Sequence, residues 1–264
     1  MTPGEIQRIV KVAASFGINR VKLTGGEPLL RNDIVEIVQM IKETSGIREV
    51  SLTTNGLFLP KYAQALRKAG LARVNVSLDT LKPERFTQIT CVDALTEVVS
   101  GIKEAVRAGL SPVKINMVLL KGINEDEVMD MIRFARVNGL ILQIIELESA
   151  DEDEAYERHH VDLSKVEGYL KEAAEKVTVR QMHHRRKYRL PRGVEVEIVK
   201  PMHNTEFCQH CNRIRVTSDG KLKPCLFRSD NLVDFLGPLR KGATDETLKK
   251  LLLEAVERRK PYFA

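Results

Sequence analysis

Apolar positions over the first 150 residues alternate between helical spacing and short, unbroken apolar runs. An apolar residue at every third or fourth position marks the buried face of a helix, whereas an unbroken run marks a strand that is buried on both faces. Asn32 is the predicted N-cap of the second helix, and Gly70 ends the third. The predicted helices cover about residues 6–13, 34–41, 62–69, 96–109 and 128–135, and the predicted strands are RVKLTGG, EVSLTTNG, RVNVSLD, VKINMVLL and LILQIIELE.

This order of strands and helices predicts a parallel sheet, because strands joined by helices pair in parallel through right-handed crossovers. An open doubly wound sheet and a (β/α) barrel both fit the order. Polar residues at the C-terminal strand ends favour the barrel-like arrangement, whose active sites lie on that face. Five strands cannot close a barrel, so an open one is predicted. The polar ends are Thr24–Glu27, Thr53–Asn55, Ser77 with Asp79, Lys121 with Gly122, and Glu146 with Glu148.

The pattern changes near residue 150, and the predicted domains are residues 1–150 and 151–264. The charged segment DEDEAYERHH at 151–160 is predicted to be a loop. A helix over 162–176, a hairpin around the Pro191–Gly193 turn and a last helix over 244–259 predict an α+β region at the C-terminal end.

Composition is that of an ordinary globular protein, with a net charge of +6. No apolar run reaches the ~18 residues of a membrane span, and the first residues do not form a secretory signal, so a cytoplasmic location without a membrane partner is expected. One dense basic run suits an anionic partner such as a nucleotide or RNA, or forms a solvated basic face. This run consists of Arg185, Arg186, Lys187, Arg189 and Arg192.

Three of the four cysteines, Cys208, Cys211 and Cys225, form the pattern C-x2-C-x13-C. Their clustering favours a metal site over disulfides, and thiolates suit both zinc and iron–sulfur clusters. Zinc would take a fourth ligand from His203 or His210, whereas a 4Fe-4S cluster held by three thiolates would keep one iron open. The spacing alone leaves zinc and the cluster equally favoured.

Two further motifs carry groups that suit anionic or cofactor ligands. Arg213 and Arg215 lie at alternate positions of C-N-R-I-R, so a strand there would place both guanidinium groups on one face beside the cysteines, where they suit phosphate or carboxylate. Gly25 and Gly26 follow a strand directly, and such glycines allow a ligand to approach the backbone closely. The same glycines also fit a plain tight turn.

Taken together, these motifs resemble the radical S-adenosylmethionine (SAM) superfamily and, within it, the GTP 3',8-cyclase family of molybdenum-cofactor biosynthesis, in particular archaeal members. The resemblance covers nearly the whole chain in the family's order. It rests on KLTGGEPLLR at 22–31, SLTTNGL at 51–57, RVNVSLDT at 73–80, LLKGIN at 119–124 and HNTEFCQHCNRIRVTSDGKLKPCLF at 203–227.

The resemblance implies an incomplete radical SAM (β/α) barrel, an open partial TIM barrel, followed by a C-terminal α+β region that carries a second iron–sulfur cluster. It implies a lyase that uses SAM to convert GTP to (8S)-3',8-cyclo-7,8-dihydroguanosine 5'-triphosphate, the first step of the pathway. The resemblance also assigns roles to individual residues. Gly26 and Ser77 would contact SAM, and the GTP contacts would be Lys22, Thr53, Lys114, Arg213 and Arg215. The 4Fe-4S cluster would be held by Cys208, Cys211 and Cys225. The resemblance therefore favours an iron–sulfur cluster over zinc at these cysteines.

This sequence departs from the family at several positions. The C-x3-C-x2-C loop that holds the family's radical-generating 4Fe-4S cluster occurs nowhere in the 264 residues. Only Cys91 remains beyond the second-cluster ligands, and one thiolate cannot hold a cluster, so this chain alone is not expected to make the radical. Gln143 and Glu148 stand where bacterial members often have arginine and methionine, and Glu148 is therefore left out of the cofactor site.

The implied partners are GTP, an electron-donor protein and the downstream cyclic pyranopterin synthase, with self-association into a homodimer as a further expectation. Two other functions stay open from the residues. One is another radical SAM enzyme with an auxiliary cluster, and the other is a non-enzymatic module that binds zinc through the cysteines and RNA through the basic run.

Overall fold

The computed structural model describes residues 1–263, and their contacts form two units. The first unit contains Met1–Thr53, Gln64–Arg73 and Asn212–Tyr262, and the second contains Thr54–Ala63, Val74–Cys211 and Phe263. The predicted domain boundary at residue 150 follows the sequence pattern rather than spatial contacts, so these two units do not test it and it stays a prediction.

The helices lie close to the predicted apolar stripes. The first begins at a capping box, in which the Thr2 hydroxyl accepts a hydrogen bond from the Glu5 amide and the Glu5 carboxylate accepts one from the Thr2 amide. The helices are α1 Pro3–Ser15, α2 Ile34–Glu43, α3 Leu59–Lys68, α4 Pro83–Thr90, α5 Leu95–Arg107, α6 Val128–Val137, α7 Glu154–His159, α8 Ser164–Ala173, α9 Thr205–Gln209, α10 Leu236–Arg240 and α11 Asp245–Glu257.

The five predicted strands are all present, and six more follow them. The strands are β1 Arg20–Leu23, β2 Glu49–Thr54, β3 Arg73–Ser77, β4 Val113–Leu119, β5 Ile141–Glu146, β6 Lys176–Val179, β7 Arg186–Arg189, β8 Glu195–Val199, β9 Arg215–Val216, β10 Lys221–Lys223 and β11 Val233–Asp234. β2, β3, β4 and β5 are buried for most of their length, so their largely apolar runs carried a clear signal, whereas β1 alternates between exposed and half-buried residues.

In the first unit, β1 and β2 pair in parallel with Lys22 opposite Ser51. The strands β9, β10 and β11 form a small antiparallel sheet. Apolar side chains of α1, α11 and this small sheet share one core, which explains why the last helix is amphipathic. The core consists of Ile9, Val12, Leu222, Val233, Phe235, Leu236, Leu239, Leu248, Leu252 and Ala255.

In the second unit, β3, β4, β5 and β8 lie side by side in parallel, and β7 and β6 continue the sheet as antiparallel strands. The predicted hairpin around Pro191–Gly193 is confirmed as the β7–β8 pair. The parallel strands form no closed barrel over residues 1–263, so the predicted open, partial barrel with a C-terminal α+β region is confirmed. In the same residues, no helix is long and apolar enough to cross a membrane.

Four local predictions were wrong. Asp33, not Asn32, precedes α2, and its carboxylate is held by the Arg31 guanidinium at 2.8 Å instead of capping the helix. Residues 154–159 of the predicted loop form α7, because the Asp153 carboxylate accepts a hydrogen bond from the Tyr156 amide and caps the helix. The predicted helix over 162–176 ends at Ala173, and Lys176 begins β6. The helix α4 has a weak stripe with Phe86 as its buried residue and was not predicted.

Candidate functional site

Three of the predicted site residues lie in the first unit near the C-terminal ends of β1 and β2. Lys22 is an exposed residue of β1, and Thr53 is a half-buried residue of β2. Leu23, the last residue of β1, pairs with Leu52 of β2, and Thr53 is the next residue of β2. The structure therefore brings Lys22 and Thr53 to adjacent parallel strands.

The glycine turn after β1 leaves open space for a ligand. Gly25 has a φ of 145°, which side chains rarely adopt, so glycine is required there. Gly26 is exposed, and a Cβ placed on it would meet no atom within 4 Å. The Glu27 carboxylate accepts a hydrogen bond from the Leu29 amide at 2.9 Å and fixes the end of the turn. Gly26 is thus an open backbone position, as a close-approach site requires.

In the second unit, the end of β3 is fixed by hydrogen bonds to β4. Ser77 is the exposed last residue of β3 and pairs with Asn116 of β4. The Asp79 carboxylate accepts a hydrogen bond from the Val118 amide at 2.7 Å. Burial raises the pKa of Asp79, although this hydrogen bond opposes the rise. Ser77 therefore has its side chain at an exposed, well-anchored strand end.

Lys114 lies in a buried polar cluster that the sequence did not predict. Its ammonium nitrogen is 2.5 Å from Glu197 Oε1, and Glu197 has no exposed surface. Gln143 donates to Glu197 Oε2 at 2.6 Å, and the Asn75 amide donates to Gln143 Oε1 at 2.9 Å. Asn75, Lys114, Gln143 and Glu197 belong to the neighbouring strands β3, β4, β5 and β8.

Two arginines from the β6–β7 connection complete this cluster. Arg180 Nη1 is 3.1 Å from Glu197 Oε2, and Arg185 Nη2 is 4.0 Å from the same oxygen. A backbone hydrogen bond from the Arg180 amide to the Arg185 carbonyl closes the connection. We call Asn75, Lys114, Gln143, Arg180, Arg185 and Glu197 the Glu197 cluster.

The charges of the Glu197 cluster shift the pKa values of its members. Burial raises the pKa of Glu197, but Lys114, Arg180 and Arg185 outweigh it and lower that pKa to about 2. Burial lowers the pKa of Lys114 to about 8, although Glu197 opposes this shift. Glu197 is therefore ionised at neutral pH, and Lys114 remains mostly charged. The sequence signal for this cluster was a polar residue inside each apolar strand, such as Gln143 in LILQIIELE.

A second polar contact lies at the C-terminal end of β5. Glu146 is 5% exposed, and its two oxygens accept hydrogen bonds from different groups. His160 Nε2 is 2.9 Å from Oε1, and the Met202 amide donates to Oε2 at 3.1 Å. Glu146 thus joins the residues after α7 to those after β8, and it is one of the strand-end residues that the sequence indicated.

The three cysteines of C-x2-C-x13-C divide between the units. Cys208 lies in α9 and Cys211 follows it, and the Cys211 amide donates to the Cys208 carbonyl at 3.2 Å. Both belong to the second unit, and Cys225 belongs to the first. All three are half-buried, and no disulfide joins any cysteine in residues 1–263. Two accessible thiols within one helical turn fit soft-metal ligation. No group of three metal-ligating side chains is formed in the described residues.

The arginine pair was predicted to share one face of a strand, and only half of this prediction is right. β9 contains Arg215 but begins after Arg213, because only Arg215 and Val216 pair with β10. Arg213 instead lies in the preceding loop, where its carbonyl accepts a hydrogen bond from Arg259 at 3.1 Å. The Nη1 atom of Arg215 is buried and has no hydrogen-bond partner among residues 1–263. Such a guanidinium nitrogen favours an anionic ligand.

The basic run is mostly engaged in ion pairs. Arg185 is buried beside Glu197, Arg186 pairs with Glu167 at 3.0 Å, and Lys187 pairs with Glu195 at 2.5 Å. These side chains support the β6–β7–β8 sheet, so the run is not a continuous solvated face. This arrangement weakens the RNA-binding alternative, which needs accessible positive charge.

Comparison with known proteins identifies the family. Residues 1–135 match the Radical SAM superfamily, and residues 140–264 match Molybdenum Cofactor Synthesis C. A protein of Methanothermobacter marburgensis named "Probable GTP 3',8-cyclase" is 51% identical over 266 residues, covering 100% of this chain and 86% of that protein. The chain belongs to the GTP 3',8-cyclase family of radical SAM enzymes.

Other comparisons agree with this family and with the fold. A Thermococcus kodakarensis protein, also named "Probable GTP 3',8-cyclase", is 49% identical over 100% of this chain and 87% of its own length. The crystal structure of Streptococcus suis SuiB has a TM-score of 0.65 at 17% identity and covers 100% of this chain and 60% of that chain. This likeness shows that the chain shares the fold of SuiB. The GTP 3',8-cyclase family implies a 4Fe-4S cluster and SAM as cofactors.

Proposed function

We propose that this chain binds GTP and SAM for the GTP 3',8-cyclase reaction, which converts GTP to (8S)-3',8-cyclo-7,8-dihydroguanosine 5'-triphosphate in the first step of molybdenum-cofactor biosynthesis. The observation that carries the proposal is the 51% identity to a "Probable GTP 3',8-cyclase" over the whole of this chain. When bound, the family's cofactors would supply the radical chemistry that acts on the substrate ribose. The chain's own residues bind and orient GTP and SAM.

The proposed substrate-binding residues are Lys22, Thr53, Lys114, Arg213 and Arg215. Lysine and arginine neutralise a triphosphate, and the buried, unbonded Nη1 of Arg215 supports such a role. Lys114 is held in place by Glu197. Gly26 and Ser77 are the proposed SAM contacts, which the open space at Gly26 and the exposure of Ser77 support.

The proposed ligands of the C-terminal 4Fe-4S cluster are Cys208, Cys211 and Cys225. The partly accessible thiols of Cys208 and Cys211 within one turn support this assignment. The family's radical-generating cluster requires ligands beyond these three, and Cys91 is the one cysteine left in the 264 residues. The electron donor, the pyranopterin synthase, a homodimer and the cytoplasmic location remain predictions.

The first test measures nucleotide binding by the chain purified without oxygen, using calorimetry with GTP and with ATP as the matched control. We expect GTP to bind at least tenfold more tightly than ATP, because GTP is the nucleotide in the names of the similar proteins. Equal binding of both nucleotides, or binding of neither, would contradict the proposal.

The second test measures iron, sulfide and zinc in the wild type and in four single cysteine variants. We expect about four irons with matching sulfide per wild-type chain. Cys208→Ser, Cys211→Ser and Cys225→Ser should each lose most of the iron, whereas Cys91→Ser should keep it because Cys91 is an exposed thiol outside the motif. Zinc without sulfide would instead favour the non-enzymatic zinc module.

A further inference from the structure

The Glu197 cluster contains more positive groups than one carboxylate needs. Lys114 and Arg180 both contact Glu197, at 2.5 and 3.1 Å. One carboxylate shared by these two cations leaves excess positive charge beside the buried Lys114. Buried charge without compensation is costly, so the cluster is suited to an additional anion.

The cluster can also be reached by a ligand. The Lys114 side chain is 6% exposed and that of Glu197 is 1% exposed, but the Arg180 side chain is 27% exposed. An anion arriving from the Arg180 side would therefore meet the guanidinium first and the ammonium of Lys114 behind it. Arginine binds phosphate oxygens with two parallel hydrogen bonds, and lysine adds a compact charge.

The side-chain amide of Asn75 adds a hydrogen-bonding group to the Glu197 cluster. Asn75 is 3% exposed, and its Oδ1 atom has no hydrogen-bond partner among residues 1–263. Its Nδ2 atom donates to Asn116 and to Gln143, so the amide is oriented by two partners. A buried acceptor without a donor favours a ligand that carries hydroxyl or N–H groups as well as phosphates. A nucleotide has both.

We propose that Arg180 is a further phosphate-binding residue for GTP, acting beside Lys114, and that Glu197 is a positioning residue that holds both cations before the nucleotide binds. This inference rests on the proposed GTP-binding function. Glu197 shares its charge with both cations, and each exchanges part of that ion pair for phosphate oxygens when the nucleotide arrives. Gln143 also donates a hydrogen bond to Glu197 Oε2 and helps to hold the carboxylate in place when the cations bind phosphate.

The test compares the binding of GTP, guanosine and inorganic tripolyphosphate to the wild type, Arg180→Gln and Arg192→Gln. Arg192 is an exposed residue of the Pro191–Gly193 turn and controls for the loss of one charge. We expect Arg180→Gln to weaken GTP and tripolyphosphate binding at least tenfold, as loss of a charge-assisted hydrogen bond does, and to leave guanosine binding unchanged. Arg192→Gln should bind all three ligands like the wild type.

The outcomes separate this inference from the proposed function. If the wild type binds GTP and Arg180→Gln binds it equally well, Arg180 has no phosphate role and the inference is wrong while the proposed function stands. If the wild type does not bind GTP, the proposed function itself fails. Arg180→Lys should recover part of the lost affinity, because it restores a charge without the paired hydrogen bonds.

The role of Glu197 is tested by the thermal stability of Glu197→Gln with and without tripolyphosphate. We expect Glu197→Gln to melt at a lower temperature than the wild type and to gain less from tripolyphosphate, because Lys114 and Arg180 are no longer held in place. A tripolyphosphate shift as large as that of the wild type would overturn the positioning role of Glu197, and a shift that is absent from both chains would overturn the role of the Glu197 cluster as an anion site.

Discussion

The helix α5 packs closely against the turn after β2 at Gly101. A Cβ added to Gly101 would lie 2.4 Å from the carbonyl oxygen of Gly56, 3.1 Å from Leu59 Cβ and 3.2 Å from Pro60 Cδ. These are a backbone atom, the first carbon of a side chain and a proline ring, none of which can swing aside. The Gly101→Ala substitution must therefore move α5 away from the turn that follows β2.

The expected magnitude follows from two opposing effects. Alanine is favoured over glycine in a helix by about 1 kcal/mol, and overpacking of a close contact costs about 3 kcal/mol. The net loss of stability is therefore about 2 kcal/mol. Gly168 of α8 provides the matched control, because a Cβ there would meet nothing within 4 Å. Gly168→Ala should stabilise the protein by about 0.5–1 kcal/mol.

The assay is thermal unfolding followed by circular dichroism for the two variants and the wild type. For a chain of this size, 1 kcal/mol moves the midpoint by about 2–4 °C. Gly101→Ala should melt about 4–8 °C below the wild type, and Gly168→Ala about 1–4 °C above it. A Gly101→Ala protein as stable as Gly168→Ala would refute the close packing of α5 on the Gly56 turn.

Three further predictions concern caps, pH and chemistry. Thr244→Ala removes the hydroxyl that accepts a hydrogen bond from the Thr247 amide at the start of α11 and should cost about 1 kcal/mol in urea unfolding, whereas Thr178→Ala in the exposed strand β6 should cost less. The pKa of the Glu197 carboxyl is lowered to about 2, so its contribution to stability is present above the ordinary pKa of a glutamate and is lost as the pH falls towards 2. The difference in unfolding free energy between the wild type and Glu197→Gln should therefore shrink from pH 5 to pH 2. A constant difference would contradict this. When the 264-residue chain is incubated with SAM and a chemical reductant, chromatography should detect no 5'-deoxyadenosine, since Cys91 alone remains for the radical-generating cluster.

Local apolar periodicity was sufficient to predict the repeated β-α units. The strands β3, β4 and β5 are largely apolar and buried, as at Val74 and Val76, and this burial leaves little choice of structure. The predictions failed where few apolar residues decide the outcome. The helix α7 depends on the Asp153 cap and buries Tyr156, and β6 is exposed throughout and is held by its pairing to β7. Such elements depend on contacts that a local pattern does not contain.

The candidate site was predictable only in part. Motif resemblance indicated Lys114, and the spacing of the cysteines indicated a metal site. The carboxylate that holds Lys114 could not be found in this way, because Glu197 is 83 positions away along the chain and is brought to Lys114 by strand pairing across β5. Likewise, the brief pairing of β9 leaves Arg213 outside the strand that the alternation with Arg215 suggested.

The row of polar side chains across β3, β4, β5 and β8 also constrains how these strands can align. Gln143 pairs with Glu197 in the parallel β5–β8 register. A slip of one residue would turn Glu197 to the opposite face of the sheet and separate it from Lys114 and Gln143, leaving charges unmatched. Because β8 is buried on both faces, its apolar residues alone would distinguish poorly between neighbouring alignments. The row of polar side chains therefore selects one register of β8 against β5 among those that burial alone would allow.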